Sequence, residues 1–537
     1  MFVSPVNEDI TFSGRAENVI KKAWANYTIY EDGAFYALFG TGIKGEQNPT
    51  GYAIGIDVAK SPDGVHWEFI SRDAVPIQGA HAGFGVKKIG KWFYYYPTCS
   101  NAEKGVHFKV YRTKNFIDFE HMGDEFDVVP DRRYYHERWD EVHIIKDRDE
   151  TGKEVYYGYI SSETRDDAGE PGCGFMQSYD GISWTVLPPI EIIWGDIPSH
   201  HMELNFVEKI ENDYFLSMSG RMYMDSYGYS LFTFRGKSPR GPFYPDAKKF
   251  RLSGTSRKAV TWLAHSIDHP KEMLAALWLS HDINPDIPSA SFAIGDLKKI
   301  LYEAGHIRFA YWEGTENVKG DEINLKLNKI EAVHPAKKVK TPKDSLNLSE
   351  GLEISASRDG VIAMLAENFD SKKGFFIEGQ FCVTESRTHI ATHHHAASFG
   401  FYFENGKNNG TAMIADTLGV TRSGTLRYAE YKITKKDPYR YAAAGLADGR
   451  SGILQGTLDF DYDDTVGPLG HASMCGVRHG KPHAFKLLAR GDYFVLYIDG
   501  YYVQTYLMPE NFTGKLGICC FDGKATIPVL KAWAMNL

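Results

Sequence analysis

The chain has few cysteines, no long apolar run and no excess of positive charge over its 537 residues. Its six cysteines are Cys99, Cys173, Cys382, Cys475, Cys519 and Cys520. Only the last two lie close together, so the spacing predicts neither a disulfide framework nor a zinc ribbon. The formal net charge of −9 argues against nucleic acid as a partner, because phosphate binding requires a basic surface.

Membrane and secretion signals are also missing from the sequence. No apolar stretch reaches the length that crosses a bilayer, and the start, MFVSPVNEDITF, lacks the basic and apolar regions of a signal peptide. These absences predict a cytoplasmic protein with no membrane partner and with a small or neutral molecule as its ligand. The aromatic content of the C-terminal part is compatible with a homo-oligomer.

Helical periodicity is scarce, whereas short aromatic and β-branched runs recur between turns, which predicts an all-β chain. Five segments share a polar turn followed by an apolar strand, and their turns recur about every 60 residues. These turns lie at Gly33, Gly90, Gly152, Asp213 and Pro270. A second element, a turn followed by an aromatic residue, keeps the same phase at residues 61–70, 113–123, 178–187 and 238–248.

A unit of about 60 residues with about four strands has the size of a large propeller blade. Five units predict a five-bladed β-propeller over residues 1–305. The alternative is a β-sandwich with accidental similarity, and the common phase of two elements favours the propeller. Residues 306–350 are expected to form a linker or connecting strands, and residues 351–537 a jelly-roll-like β-sandwich, because their strands alternate as in antiparallel sheets.

In a propeller the innermost strand of every blade begins near the central axis, so one position per blade converges on a single pocket. The candidates just upstream of the five turns are Trp24, Asn26, His81, Asp140, Glu203, Arg257 and Trp262. Carboxylates, a histidine, an amide and aromatic rings at equivalent places are typical of a pocket that cleaves sugars.

Two segments resemble known enzymes. RWDEVHIIKDRDETGKEVYYGYI, in which Trp139 separates Arg138 from Asp140, is similar to an Arg-Asp pair followed by a strand and a Thr-Gly-Lys turn. MELNFVEKIENDYFLSMSG is similar to a strand opened by a glutamate and ending in a hairpin. These are the third- and fourth-blade patterns of the five-bladed glycoside hydrolases, families 32 and 68 with relatives 43 and 62. Family 32 is closest in layout because it carries a C-terminal β-sandwich.

The resemblance implies a glycosidase that acts on an oligosaccharide, either a furanoside or one with an unusual terminal sugar. It implies that Glu203 is the general acid and that Asp140 orients substrate hydroxyls and raises the pKa of that acid. A protonated acid near neutral pH requires such a neighbour or an apolar wall. We expect substrate contacts from Trp24, Asn26, His81, Arg138, Trp139, His201, Arg221, Arg257 and Trp262.

Blade one departs from the family pattern. Where the family has a catalytic Asp, this chain has Trp24-Ala25-Asn26, and an amide can act neither as base nor as nucleophile. Glu137, Glu141 or Asp57 could supply the missing carboxylate. Otherwise the chemistry differs from that of the family, or the protein binds glycans without cleaving them.

The histidines leave one further alternative open. His201 and Glu203 share a strand face, and with His81 they could bind a divalent metal in a carbohydrate lyase. No recognised ligand spacing supports this, so no cofactor is predicted and the histidines are expected to donate hydrogen bonds to sugar hydroxyls. Several arginines in one pocket would favour an anionic sugar.

Overall fold

The computed structural model contains two compact units, Met1–Leu252 with Ala259–Thr315, and Ser253–Lys258 with Glu316–Leu537. The described residues are 20–44, 53–72, 74, 80–164, 171–195, 202–221, 229–246, 251–253, 261–280, 292–332, 348, 351–356, 361–385, 398–406, 409–416, 425–429, 477, 480–491, 493–507, 511–521 and 523–537. Short 3₁₀ helices lie at Asp124–Phe126 and Glu313–Val318. No helix in these residues combines the length and apolar character needed to cross a bilayer.

The first unit consists of five successive antiparallel blades. Blade one contains β1 (Ile20–Glu31), β2 (Ala34–Lys44), β3 (Ala53–Ser61) and β4 (Glu68–Ser71). Blade two contains β5 (Ala80–Ile89), β6 (Trp92–Asn101), β7 (Gly105–Phe108), β8 (Tyr111–Thr113) and β9 (Glu120–His121). Blade three contains β10 (Tyr135–Arg148), β11 (Glu154–Thr164), β12 (Pro171–Ser178) and β13 (Thr185–Leu187).

The last two blades follow the same order. Blade four contains β14 (Glu203–Ile210), β15 (Asp213–Arg221), β16 (Tyr229–Gly236), β17 (Tyr244–Pro245) and β18 (Arg251–Ser253). Blade five contains β19 (Thr261–Asp268), β20 (Met273–Ser280), β21 (Phe292–Ile294), β22 (Lys298–Glu303) and β23 (His306–Tyr311). The predicted five-bladed propeller is confirmed.

The first strands of the five blades form a closed ring. Strand β1 contacts β5, β5 contacts β10, β10 contacts β14, β14 contacts β19, and β19 contacts β1. Tight turns end these strands. In the first of them Asp32 and Gly33 both have positive φ, 48° and 80°, which matches the twist of a two-residue hairpin. The predicted turn position in blade one is therefore explained by its backbone geometry.

The second repeated element is a turn closed by a hydroxyl side chain. Ser61 Oγ accepts a hydrogen bond from Gly64 N at 2.8 Å, and Ser178 Oγ accepts one from Gly181 N at the same distance. The Ser178 turn leads to Trp184 of blade three, whose Nε1 donates to the hydroxyl of Tyr96 in blade two at 3.3 Å. The repeat in the sequence thus corresponds to a contact between blades.

The second unit has two antiparallel sheets, as predicted for a β-sandwich. One sheet contains β24 (Lys319–Ile323), β26 (Leu352–Ala356), β28 (Phe375–Glu385), β32 (Pro482–Arg490), β33 (Tyr493–Ile498), β34 (Tyr501–Leu507) and β36 (Gly523–Met535). The other contains β25 (Leu327–Ala332), β27 (Val361–Asp370), β29 (Ser398–Gly406), β30 (Asn409–Asp416), β31 (Thr425–Ala429) and β35 (Thr513–Phe521). Phe381 of the first sheet stacks on Phe399 of the second with ring centroids 4.2 Å apart.

The stretch 306–350 contributes strands to both units. Strand β23 pairs with β22 in the first unit, whereas β24 pairs with β36 and β25 pairs with β27 in the second. The structure therefore assigns β24 and β25 to the sandwich sheets.

Gly85 allows the closest approach between two inner strands. A Cβ atom at this position on β5 would lie 2.0 Å from the Val142 carbonyl oxygen on β10. We expect Gly85→Ala to lower the free energy of unfolding by about 3 kcal/mol, because the backbones of blades two and three must separate. Urea unfolding measures this loss. Lys91→Ala, in the exposed turn of the same hairpin, is the control, and equal midpoints for both variants would contradict the close packing.

Candidate functional site

The starts of β10 and β14 bring three predicted site residues together. Arg138 Nη2 donates a hydrogen bond to Glu203 Oε1 at 2.8 Å, and the two side chains are 20% and 16% exposed. Asp140 lies two residues beyond Arg138 on β10 and is half-buried. Blade three therefore contributes Asp140 and blade four contributes Glu203 to one partly accessible cluster, which also contains the guanidinium of Arg138.

Asp140 is held from blade two. Thr98, on the second strand of that blade, donates its hydroxyl hydrogen bond to Asp140 Oδ1 at 3.1 Å. Thr98 is buried, so this hydroxyl has a fixed position beside the carboxylate. The bond therefore holds the Asp140 carboxyl group in one orientation.

A β-bulge places a second acid next to Asp140. In the β10–β11 register Asp140 pairs with Ser161 and Val142 with Ile160, so Glu141 is the extra residue. Its φ of 53° lies in the left-handed region that residues with a side chain seldom adopt. The bulge therefore inserts one residue between two strand positions and breaks the alternation of faces.

Glu141 is buried and is linked to blade four through the hydroxyl of Ser161. Ser161 Oγ donates to Glu141 Oε2 at 3.2 Å, and the same Oγ accepts a hydrogen bond from Leu204 N at 2.8 Å. Burial raises the pKa of Glu141 well above its usual range, and the charges of Asp140 and Glu203 raise it further, against the opposing effects of the nearby guanidinium and the serine hydroxyl. Its surroundings thus favour the uncharged form of Glu141 compared with an exposed glutamate.

Arg138 is the positive charge in this group of acids. Burial by itself lowers the pKa of Arg138, but the charges of Glu203, Asp140 and Glu141 outweigh burial and raise the pKa above its usual value. The guanidinium remains protonated at any accessible pH. It can therefore stabilise a carboxylate that forms when Glu203 loses a proton.

The prediction that Trp139 binds substrate is wrong. Its side chain is fully buried and packs against Phe108 and Tyr135, with ring centroids 6.0 and 4.9 Å apart. It belongs to the same core cluster as Val142, three residues further along β10. In a regular strand Trp139 and Val142 would point to opposite faces. The bulge at Glu141 adds one residue between them, so both side chains face the core.

Most of the other predicted contacts fall on parts of the chain whose side chains are not described. The backbones of Trp24, Asn26, His81, Arg221 and Trp262 lie in strands β1, β5, β15 and β19. His201 and Arg257 lie outside the described residues. Their contacts with substrate remain predictions.

Two of the three carboxylates considered as substitutes for the blade-one acid can be placed. Asp57 is fully buried on β3 and accepts a hydrogen bond from Arg72 Nη1 at 2.8 Å, so it is engaged in an ion pair away from the inner strand. Glu141 is buried and accepts a hydrogen bond from the Ser161 hydroxyl. The side chain of Glu137 lies outside the described residues.

Further along the axis the inner strands line a cavity of about 490 Å³. His143 Nε2 lies 3.4 Å from Glu208 Oε1, and the Ser266 hydroxyl donates to the same oxygen at 2.5 Å. Glu208 follows Glu203 by five residues on β14, about 16 Å at the rise of a strand. This cavity is therefore at the far end of the strands from the acid cluster.

Beside this cavity, burial and the neighbouring His143 lower the pKa of His265 to about 3. Its ring lies 4.5 Å from that of Tyr27, between centroids. His265 is neutral at physiological pH and serves as a core residue.

One group in the described part of the chain has the geometry to share a metal ion. It consists of His121, Asp124 and Asp127 in blade two, not at the starts of the inner strands. Lys104 Nζ lies 2.6 Å from Asp127 Oδ2 and already supplies a positive charge there. The metal alternative depends on His81 and His201, whose side chains are outside the described residues.

Sequence reasoning did not identify the supporting residues Thr98 and Ser161. Both lie on second strands of blades, where the repeat directs attention to apolar residues. No short motif marks them. Glu141 had a visible signal, since two consecutive acids in a strand contradict an alternating pattern and indicate a bulge.

No protein-family model matches the chain, and no curated protein matches it in sequence. Among solved structures, sucrose-6-phosphate hydrolase from Lactobacillus gasseri is similar with a TM-score of 0.62 at 11% identity, covering 96% of this chain and 90% of that one. Fructan 1-exohydrolase IIa from Cichorium intybus has a TM-score of 0.61 at 10% identity, with coverages of 97% and 96%. A GH32 β-fructofuranosidase from Bombyx mori has a TM-score of 0.56 at 10% identity, with coverages of 96% and 91%.

These structures extend over almost the whole chain and confirm the predicted fold, a five-bladed propeller followed by a β-sandwich. At about one residue in ten identical, the likeness concerns the fold and not the individual site residues.

Replacing Arg138 tests the charge balance of the cluster. Arg138→Gln leaves three neighbouring acids without their cation, so repulsion between their negative charges is no longer compensated in the folded protein. The loss of stability should therefore be small near pH 4.5 and grow as pH rises, reaching about 2 kcal/mol at pH 8. Urea unfolding at both pH values measures it.

Arg133→Gln is the matched control, because Arg133 pairs with Asp131 at 2.6 Å but is 75% exposed. It should change stability little at either pH. A loss for Arg138→Gln that is the same at both pH values would contradict the electrostatic interpretation.

Proposed function

We propose that the protein is a glycoside hydrolase that removes a terminal sugar from an oligosaccharide. The observation that carries this proposal is the pairing of Glu203 with Arg138 beside Asp140, at equivalent strand starts in adjacent blades. Acids at these places support cleavage at the axis, because glycosidic bonds are broken by two carboxyl groups on either side of the scissile bond. The similar folds of a sucrose-6-phosphate hydrolase and a fructan exohydrolase favour furanosides as the first substrates to test.

In this proposal Glu203 is the general acid. It gives its proton to the oxygen of the departing sugar, and Arg138, at 2.8 Å, stabilises the carboxylate that remains. Water adds to the anomeric carbon of the released sugar, and the Glu203 carboxylate takes up the proton that this water loses, which restores the acid. Arg138 stabilises Glu203 most strongly when Glu203 carries its negative charge, after the proton has left.

Asp140 orients the sugar and supports the developing positive charge. Its Oδ1 is fixed by Thr98, and its negative charge lies on the same strand as Arg138. A carboxylate at this position attracts the oxocarbenium-like ring of the transition state. The proposal assigns His81, His201, Asn26 and Trp24 to the walls of the sugar subsite.

The test is Glu203→Gln, assayed with sucrose, sucrose 6-phosphate, fructo-oligosaccharides and a panel of nitrophenyl furanosides and pyranosides. Loss of the proton donor should reduce kcat/KM by about 10²–10⁴-fold for substrates with a poor leaving group. The effect should be smaller for nitrophenyl substrates, whose leaving group does not need protonation.

Glu208→Gln is the control, since Glu208 lies on the same strand but away from the acid cluster, and the variant should retain activity close to wild type. Products with the absorbance of an unsaturated sugar, lost on chelation, would instead support a metal-assisted lyase. Binding of oligosaccharide without cleavage would support a glycan-binding protein.

A further inference from the structure

Blade two carries a cluster of metal-binding side chains outside the candidate site. His121 ends β9, Asp124 begins the short 3₁₀ helix that follows, and Asp127 comes directly after that helix. One ligand atom from each lies within 4.8 Å of the other two, and His121 Nε2 is 3.9 Å from Asp124 Oδ1. Two atoms bound to one ion at about 2.1 Å lie at most about 4.2 Å apart, so small side-chain rotations bring all three onto one ion.

Strand β7 adds a buried histidine to this cluster. An antiparallel bridge pairs Phe108 with Val128, so the residues before them, His107 and Asp127, lie on one face of the sheet. His107 Nε2 lies 3.5 Å from Asp127 Oδ2, and the two side chains are 0% and 2% exposed. The histidine is therefore directed into the cluster from the protein interior.

The hydrogen bond at its other ring nitrogen fixes the proton of His107. Nδ1 lies 2.9 Å from the carbonyl oxygen of Gly105, which can only accept, so Nδ1 carries the proton and Nε2 of the neutral ring has a lone pair. Within the described residues neither His107 Nε2 nor Asp127 Oδ1 has a hydrogen-bond partner, although both atoms are buried. A metal-binding histidine commonly donates its second N–H to a backbone carbonyl in this way.

Lys104 shows that a positive charge is favourable beside Asp127. Its Nζ donates to Asp127 Oδ2 at 2.6 Å and to the carbonyl oxygen of Asp124 at 3.0 Å. The lysine side chain is partly exposed, and a long, strongly hydrated ammonium can move into solvent. A metal ion would therefore compete with Lys104 for the Asp127 carboxylate.

We propose that His121, Asp124 and Asp127, supported by His107, form a structural site for a divalent transition-metal ion. Imidazole nitrogen together with carboxylate oxygen suits zinc and its first-row neighbours, whereas magnesium and calcium prefer oxygen ligands alone. The ion joins β7 and β9 to the segment that leads into β10, the inner strand of blade three. This proposal does not depend on the proposed function.

The first test is zinc binding to the full-length protein without a histidine tag. Chelator-treated and dialysed protein is titrated with ZnCl₂ by calorimetry, with MgCl₂ and CaCl₂ for comparison. We expect wild type to bind one zinc ion more than His121→Gln or Asp124→Asn, because each variant loses a ligand atom. Both side chains are accessible, 33% and 73% exposed, so the variants should fold.

Variants are compared because the chain has 20 histidines, any of which can bind zinc weakly. His66→Gln is the matched control, since His66 Nδ1 lies 2.7 Å from Asp63 Oδ2, a histidine and an aspartate three positions apart as in the cluster. It should bind zinc as wild type does. Equal zinc binding by wild type, His121→Gln and Asp124→Asn would overturn the proposal, and so would an equal loss in His66→Gln.

Lys104 and His107 should give effects of opposite sign. Lys104→Gln removes a competing positive charge and should tighten zinc binding about tenfold, since like charges repel at short range. His107→Gln removes the supporting nitrogen and should weaken zinc binding about tenfold. Unchanged or weaker binding in Lys104→Gln would overturn the proposal, and this variant decides the question should His107→Gln not fold.

A structural role predicts that zinc stabilises the fold. Zinc should raise the urea midpoint of wild type by mass action and leave that of Asp124→Asn unchanged. An equal response of both proteins would overturn the structural role.

Discussion

The closed ring of five inner strands is the constraint on which the rest of the propeller depends. Each blade buries its faces only against its neighbours, so the ring must close before any blade is stable. Side chains reinforce this contact: Ser161 accepts from Leu204 N, and Asn205 Oδ1 accepts from Ala264 N at 3.1 Å. The same contacts that hold blades three, four and five together also fix the position of Glu203.

Two features of this ring, a bulge and an ion pair, shape the candidate site. Blade three departs from a regular strand at Glu141, and the bulge allows Trp139 to fill the core while two acids lie at the strand start. Arg138 then compensates part of the negative charge through its bond to Glu203. Strain and buried charge of this kind lower stability, and the two often occur together at functional sites.

Much of the propeller could be predicted because its repeats follow local rules. A two-residue turn such as Asp32-Gly33 requires positive φ, and the Ser61 and Ser178 turns require a hydroxyl at a fixed spacing from glycine, so both leave a pattern in the sequence. Asp140 and Glu203 could be found from the phase of that pattern. The role of Trp139 could not, because one inserted residue reverses which side of the strand faces the core.

The sequence by itself determined the number of blades, the existence of a second β domain and the places where inner strands begin, since these depend on periodicity and turn chemistry. Only the tertiary structure decided which side chains meet. The pairing of Arg138 with Glu203 joins residues 65 positions apart, and the link from Ser161 to Leu204 joins two blades. Such contacts arise from ring closure and a bulge, and neither is encoded in the residues that touch.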